Sequence, residues 1–144
     1  MRTSGGGIYG ARLNGPTELR TSGGSIHVED SKGDLDARTS GGGIRLLGID
    51  GRVVAKTSGG GIYVEAHSNR GATLSTSGGG VVLLLPADTR ASLDAATSGG
   101  TVRVDFPVTI SGDLSRSHVH GTINGGGEPI FLHTSGGGIH LGPL

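Results

Sequence analysis

The tetrapeptide Thr-Ser-Gly-Gly occurs seven times in this chain of 144 residues, and its spacing constrains the fold more than any other feature. The copies begin at Thr3, Thr21, Thr39, Thr57, Thr76, Thr97 and Thr134, so the intervals are 18, 18, 18, 19, 21 and 37 residues. The last interval is about two periods long, which predicts a degenerate copy at residues 122–127. A tetrapeptide motif that recurs at such a regular interval indicates a repeat architecture rather than a low-complexity linker.

Apolar residues recur in phase with this word. Counted from each Thr as zero, position 5 is Ile or Val in all seven copies, and position 7 is Val or Leu in all but the first, where Gly10 stands. Leu, Val, Ile or Ala also alternate with polar residues just before the next Thr. Alternation with period two predicts strands that bury one face, and no window has the 3.6-residue periodicity of a helix.

Two short strands in a unit of 18 residues cannot bury their apolar faces alone, so successive units must stack. We therefore predict an all-β, single-domain parallel β-solenoid (β-helix) of about eight turns with a repeat of about 18 residues. The domain covers residues 1–144, with regular repeats at 3–104, an irregular turn at 105–128 and a final repeat at 129–144. The alternation places each repeat Thr inward and each Ser outward, with the glycines at a sharp corner that needs positive φ or close backbone approach.

Composition excludes several functional classes. There is no Cys, so no disulfide and no thiolate metal site is possible. Twelve basic and twelve acidic side chains give zero net charge, which argues against a nucleic-acid binder. No apolar run is long enough to span a bilayer, and no segment reads as a signal peptide or anchor. Residues 5–10 match G-x-G-x-x-G, but no helix follows, so we expect no nucleotide or other cofactor.

Two clusters of titratable residues could carry chemistry. The histidines His118, His120, His133 and His140 lie close in sequence and are of the type that binds zinc or nickel. Four carboxylates, Glu29, Asp30, Asp34 and Asp36, could serve as acid and base, but Lys32 and Arg38 lie beside them. Surface histidines and a solvated, locally neutralised corner explain both clusters more simply. We therefore predict no enzyme, no catalytic residue and no metal site.

The order of motifs resembles the bacterial putative-adhesin family of β-strand-repeat domains, whose function is unknown. The resemblance lies in the tandem Thr-Ser-Gly-Gly-x-Ile turns, the Phe106-Pro107 segment, the glycine-rich stretch at 121–127 and the final Thr-Ser-Gly turn. It covers essentially the whole chain. It implies a β-solenoid outside the cell or at its surface, and it implies no catalytic residues.

The ends of the repeat array suggest a function. A stack of turns needs capping units, and the sequence shows none at either end. Open ends of opposite polarity can stack head to tail into a filament. We therefore predict a structural protein that polymerises end to end through its first and last turns, at Thr3, Ile8, Tyr9, Ile130, Leu132, Ile139 and Leu141. The alternative is a monomeric, adhesin-like binding module, excised from a longer envelope-anchored protein, whose partners are cell-surface or matrix components.

Overall fold

The chain folds into two β-sheets that enclose one apolar core. The computed structural model describes residues 2–3, 5–67, 71–86, 90–105, 108–110, 118–123 and 125–143. Sheet A contains β1 (Arg2–Thr3), β3 (Thr17–Thr21), β5 (Leu35–Thr39), β7 (Val53–Thr57), β9 (Ala72–Thr76), β11 (Ala91–Thr97), β13 (Val108–Ile110), β14 (His118–Ile123) and β15 (Glu128–Thr134). Sheet B contains β2 (Ile8–Asn14), β4 (Ile26–Lys32), β6 (Ile44–Asp50), β8 (Ile62–Ala66), β10 (Val81–Leu85), β12 (Val102–Val104) and β16 (Ile139–Pro143).

Each Thr-Ser-Gly-Gly word joins a strand of sheet A to the next strand of sheet B, and this pair of strands forms one turn. Equivalent residues of neighbouring turns pair in parallel register, so that Ile8, Ile26, Ile44 and Ile62 form one column. The prediction of an all-β chain with parallel sheets is confirmed, and the arrangement is consistent with a β-solenoid. No helix in the described ranges could span a membrane.

From Thr21 onward, the corner of each turn has the Thr inside and the Ser outside, as the alternation predicts. Thr39 is 6% exposed, whereas Ser40 is exposed. The Thr39 hydroxyl donates a hydrogen bond of 2.7 Å to the carbonyl oxygen of Gly24 in the preceding turn. The Thr residues of five further words make the same bond, at 2.7 or 2.8 Å. This Thr ladder satisfies buried polar groups and ties each turn to its neighbour.

The middle glycine, three residues after each Thr, lies where the backbones of two turns come closest. A Cβ on Gly42 would overlap the carbonyl oxygen of Gly24, and a Cβ on Gly60 would overlap that of Gly42. None of the described middle glycines has a positive φ. Close backbone approach, rather than left-handed conformation, therefore explains why this position is always Gly.

The last turn lies inside the stack, which differs from the sequential order that the sequence predicts. Strand β15 pairs in parallel with both β9 and β11, and β16 pairs in parallel with both β10 and β12. The Thr ladder follows the same order, because Thr134 donates to Gly79 and Thr97 donates to Gly137. The turn that ends the chain therefore separates two turns that are consecutive in sequence.

The predicted degenerate turn at residues 122–127 is not a turn of the stack. Strand β14 runs antiparallel to β11, and β13 runs antiparallel to β14, so both add to sheet A alone. Gly125 and Gly126, with φ of 89° and 92°, then lead the chain back across the start of β11 into β15. The described residues thus form seven turns rather than eight, and sheet A extends two strands beyond sheet B.

A bulge in the first three strands of sheet B returns the chain to the core. Arg12, Asp30 and Gly48 occupy equivalent positions with φ of 53°, 57° and 67°. This left-handed residue lets two successive side chains point outward, after which Ser31 and Ile49 point inward and are fully buried. The Ser31 hydroxyl has no hydrogen-bond partner among the described residues.

Removal of the Ser31 hydroxyl and removal of the Thr39 hydroxyl should therefore change the free energy of unfolding in opposite directions. Ser31→Ala should raise the free energy of unfolding by about 1 kcal/mol, because it removes an unpaired buried polar group. Thr39→Val should lower it by about 1 kcal/mol or more, because it leaves the Gly24 carbonyl without its donor. Thermal unfolding followed by circular dichroism measures both, and the same direction of change in the two variants would contradict the assignment.

Candidate functional site

The outer surface of sheet B carries an aromatic and cationic column. Position 6 of the repeat contributes, in spatial order along the stack, Tyr9, His27, Arg45, Tyr63, Val82, His140 and Arg103. The rings of Tyr9 and His27 stack with centroids 5.2 Å apart, and the Arg45 guanidinium lies 5.5 Å from the centre of the Tyr63 ring. Tyr9 is 63% exposed. Such side chains, held on a rigid sheet, are typical of binding surfaces.

Carboxylates two residues further along the strands hold these rings in place. The Tyr63 hydroxyl donates a hydrogen bond of 2.7 Å to Glu65, and the Tyr9 hydroxyl donates one of 3.1 Å to Glu29. His27 Nε2 lies 3.1 Å from the other oxygen of Glu29. We name the six residues Tyr9, His27, Glu29, Arg45, Tyr63 and Glu65 the sheet B face. Side chains fixed in this way lose less conformational entropy when they bind a ligand.

The hydrogen bonds on this face shift the acidity of its groups. The contact with His27, followed by that with Tyr9, lowers the pKa of Glu29 below its ordinary value of 4.5. The hydrogen bond to Glu65 raises the pKa of the Tyr63 hydroxyl above 10.0, and the bond to Glu29 does the same for Tyr9. Around neutral pH Glu29 is therefore an ionised acceptor, and the phenols of Tyr9 and Tyr63 are neutral donors, which is the state in which these contacts form.

A shallow groove of about 480 Å³ runs beside the sheet B face, between this face and the glycine corner. Its floor is the third corner position of four consecutive turns, occupied by Ser25, Gly43, Gly61 and Gly80. Its wall is formed by His27, Arg45, Tyr63 and Val82. The groove is therefore parallel to the axis of the stack.

The structure separates the histidines that the sequence brings together. On sheet A, His118 Nε2 lies 2.9 Å from Asp94 Oδ1, and His120 Nδ1 lies 4.0 Å from Asp94 Oδ2. His140 lies on the outer surface of sheet B, where its Nε2 is 2.8 Å from Asp105 and lowers the pKa of that carboxyl. Among the described residues, no group of three or more His, Asp or Glu could hold a metal ion.

The predicted acidic cluster is also divided between the sheets. Asp34 and Asp36 belong to the sheet A side, where Arg38 Nε lies 2.9 Å from Asp36. Asp30 lies in the bulge of β4, at a second groove of about 500 Å³ that Arg12 and Lys32 also line. Asp50 and His67 line this second groove as well.

The residues predicted for self-assembly lie in different parts of the stack. Thr3, Ile8 and Tyr9 belong to the first turn, at one end of both sheets. The residues of the last turn do not lie at the other end: Ile130, Leu132, Ile139 and Leu141 are at most 2% exposed, and their strands are paired on both edges. The last turn therefore lies between two other turns and not at an open end of the stack.

The sheet B face was missed in the sequence, although a signal for it exists. Tyr9, His27, Arg45 and Tyr63 are spaced by 18 residues, as are Glu29, Leu47 and Glu65. Reading the repeat only at its apolar positions identifies the core and leaves out these outward columns. Comparison with known proteins adds no assignment: no protein-family model, curated protein or solved structure matches the chain.

Proposed function

We propose that this chain is a non-enzymatic binding module, a β-solenoid of seven turns that presents the sheet B face to a macromolecule outside the cell. The observation that carries the proposal is the column of Tyr9, His27, Arg45 and Tyr63, with Glu29 and Glu65 beside it. Tyr and Arg are enriched among residues that dominate binding energy. Here they occupy adjacent strands of a sheet, so the ligand meets a surface already in place.

The far end of the stack favours this proposal over the end-to-end filament. Head-to-tail growth needs the two sheets to end at the same level, so that both ladders continue into the next copy. Among the residues that the structure describes, sheet A continues beyond the last shared turn with β14 and β13, whereas sheet B ends at β12. At a strand spacing of ~4.8 Å the two edges are offset by ~10 Å. A second rigid copy, in which β1 and β2 lie at the same height along the stack, therefore cannot pair with the exposed edges of both sheets.

Surface plasmon resonance with the immobilised chain tests the proposal. The analytes are soluble collagen, fibronectin and purified bacterial cell-wall polysaccharide. We expect at least one to bind, and Arg45→Ala combined with Tyr63→Ala to weaken that binding by about tenfold or more. The matched control, Val54→Ala combined with Thr73→Ala, changes the outer surface of sheet A and should bind like the unmodified chain. Equal binding by both double variants, or no binding to any analyte, would overturn the proposal.

Electron microscopy of the purified chain provides an independent check. A monomeric module gives short discrete particles at high protein concentration. Extended fibres would contradict the proposal and would instead support the end-to-end assembly that the sequence suggests.

A further inference from the structure

We infer that the ligand of this module is an extended, uncharged polysaccharide that lies along the groove beside the sheet B face, an inference that rests on the proposed function. The floor of the groove repeats once per turn across Ser25, Gly43, Gly61 and Gly80. Four turns at the strand spacing of ~4.8 Å span ~14 Å. A groove that presents a similar surface at each step suits a polymer with a repeating unit better than a compact ligand.

The backbone of the groove floor favours a polysaccharide over a peptide. An extended peptide usually binds a sheet through main-chain hydrogen bonds. Here the carbonyl oxygens of Gly43, Gly61 and Gly80 already accept hydrogen bonds of 2.9 Å from backbone N–H groups of the neighbouring turn. Polar recognition must therefore come from side chains of the wall and of the sheet B face.

Those side chains are suited to hydroxyl groups. The carboxylates of Glu29 and Glu65 accept hydrogen bonds, and the guanidinium of Arg45 donates them. Tyr63 provides an apolar ring against which the C–H face of a sugar can pack. The strand spacing is also close to the length of one hexose in an extended β-linked chain, so successive sugars can meet successive strands.

The charge of the face argues for a neutral polymer. Glu29 and Glu65 lie beside the groove rather than in its lining, as two carboxylates against the single guanidinium of Arg45, and His27 is already in contact with Glu29. A polymer that carries a carboxylate, sulfate or phosphate on each unit would meet repulsion from these acids. An uncharged glycan avoids this cost and keeps the hydroxyl contacts.

A side chain at the third corner position fits tightly, because a Cβ on Gly43 or Gly61 would lie 3.2 Å from a carbonyl oxygen of the next turn, but the chain itself carries side chains at this position. Ser25 and Thr101 stand where other turns have Gly43 and Gly61. We therefore choose Gly43→Ser combined with Gly61→Ser as the groove-filling variant. The matched control is Gly41→Ser combined with Gly59→Ser, which places the same atoms at the first corner position, outside the groove lining.

Affinity electrophoresis in native gels that contain hydroxyethyl cellulose, a neutral β-glucan, tests the inference. We expect the unmodified chain and the control variant to be retarded. The groove-filling variant should be retarded less, with an apparent affinity that is lower by about tenfold or more. Gels that contain alginate, an anionic polysaccharide, should not retard any of the three. Circular dichroism establishes that both variants are folded.

Two results would overturn the inference. One is that hydroxyethyl cellulose does not retard the unmodified chain, and the other is that it retards the groove-filling variant equally. If collagen or fibronectin still binds through Arg45 and Tyr63 in either case, the proposed function stands and only the polysaccharide assignment fails. If the variant that combines Arg45→Ala with Tyr63→Ala also binds those proteins normally, the proposed function and the polysaccharide assignment both fail.

Discussion

Replacing Gly42 by Ala should lower the free energy of unfolding by about 3 kcal/mol or more and the melting temperature by about 10 °C. The added methyl group would overlap the carbonyl oxygen of Gly24, which is backbone and cannot rotate away. That oxygen also accepts the hydrogen bond of Thr39. Relief of the overlap would therefore separate two turns and break a link of the Thr ladder. Thermal unfolding followed by circular dichroism measures the effect.

The neighbouring glycine provides the control for this substitution. A Cβ on Gly41 would lie 3.5 Å from the nearest atom, the carbonyl oxygen of Gly23, which is an ordinary contact. Gly41→Ala should therefore change stability by no more than about 0.5 kcal/mol. Equal effects of the two substitutions would show that the corner does not depend on close approach at the middle glycine.

Removal of the last turn should abolish cooperative folding, whereas removal of the first turn should only weaken it. Residues 128–144 contribute four large buried side chains, Ile130, Leu132, Ile139 and Leu141. Burial of each contributes about 1.5–3 kcal/mol, so their loss approaches the whole net stability of a typical domain, about 5–15 kcal/mol. The truncation also removes one of the two pairing partners of β9, β10 and β11, and the partner that β12 has among the described strands.

A chain that lacks residues 1–16 is the matched control for this truncation. Of the residues it removes whose burial is described, only Ile8 belongs to the buried core. Its loss should cost about 2–3 kcal/mol and leave a cooperative unfolding transition. Hydrogen exchange should show protected amides in β9 to β12 of this control and none in the chain that ends at residue 127. Similar melting temperatures for both truncated chains would contradict the inserted position of the last turn.

Much of the fold follows from local chemistry that the sequence displays. The inward Thr, the outward Ser and the buried Ile columns all result from period-two alternation, which is a property of each strand by itself. The glycine corner is equally local, although its cause, contact with the carbonyl of the turn before it, depends on stacking. The spatial order of the turns is different. Because every turn presents the same columns of Thr, Gly and a β-branched residue (Ile or Val), the last turn can pair with either neighbour equally well.

The candidate site was predictable in part. The 18-residue spacing that reveals the core also aligns Tyr9, His27, Arg45 and Tyr63, so the outward column could have been read from sequence. Its pairing with Glu29 and Glu65 could also have been inferred, since these residues lie two positions further on the same strands. The groove could not, because its floor depends on how closely the corners of neighbouring turns pack.

The last turn is inserted between two turns that are consecutive in sequence, and disulfide cross-linking tests this order of turns directly. The chain has no Cys, so introduced pairs are unique. Phe131 pairs in register with Thr73 on one side and with Asp94 on the other. Thr73 and Asp94 are therefore two strands apart, at ~10 Å, beyond the ~7 Å that a disulfide can bridge. We predict rapid oxidation of Thr73→Cys with Phe131→Cys and none of Thr73→Cys with Asp94→Cys, whereas the opposite result would contradict the account.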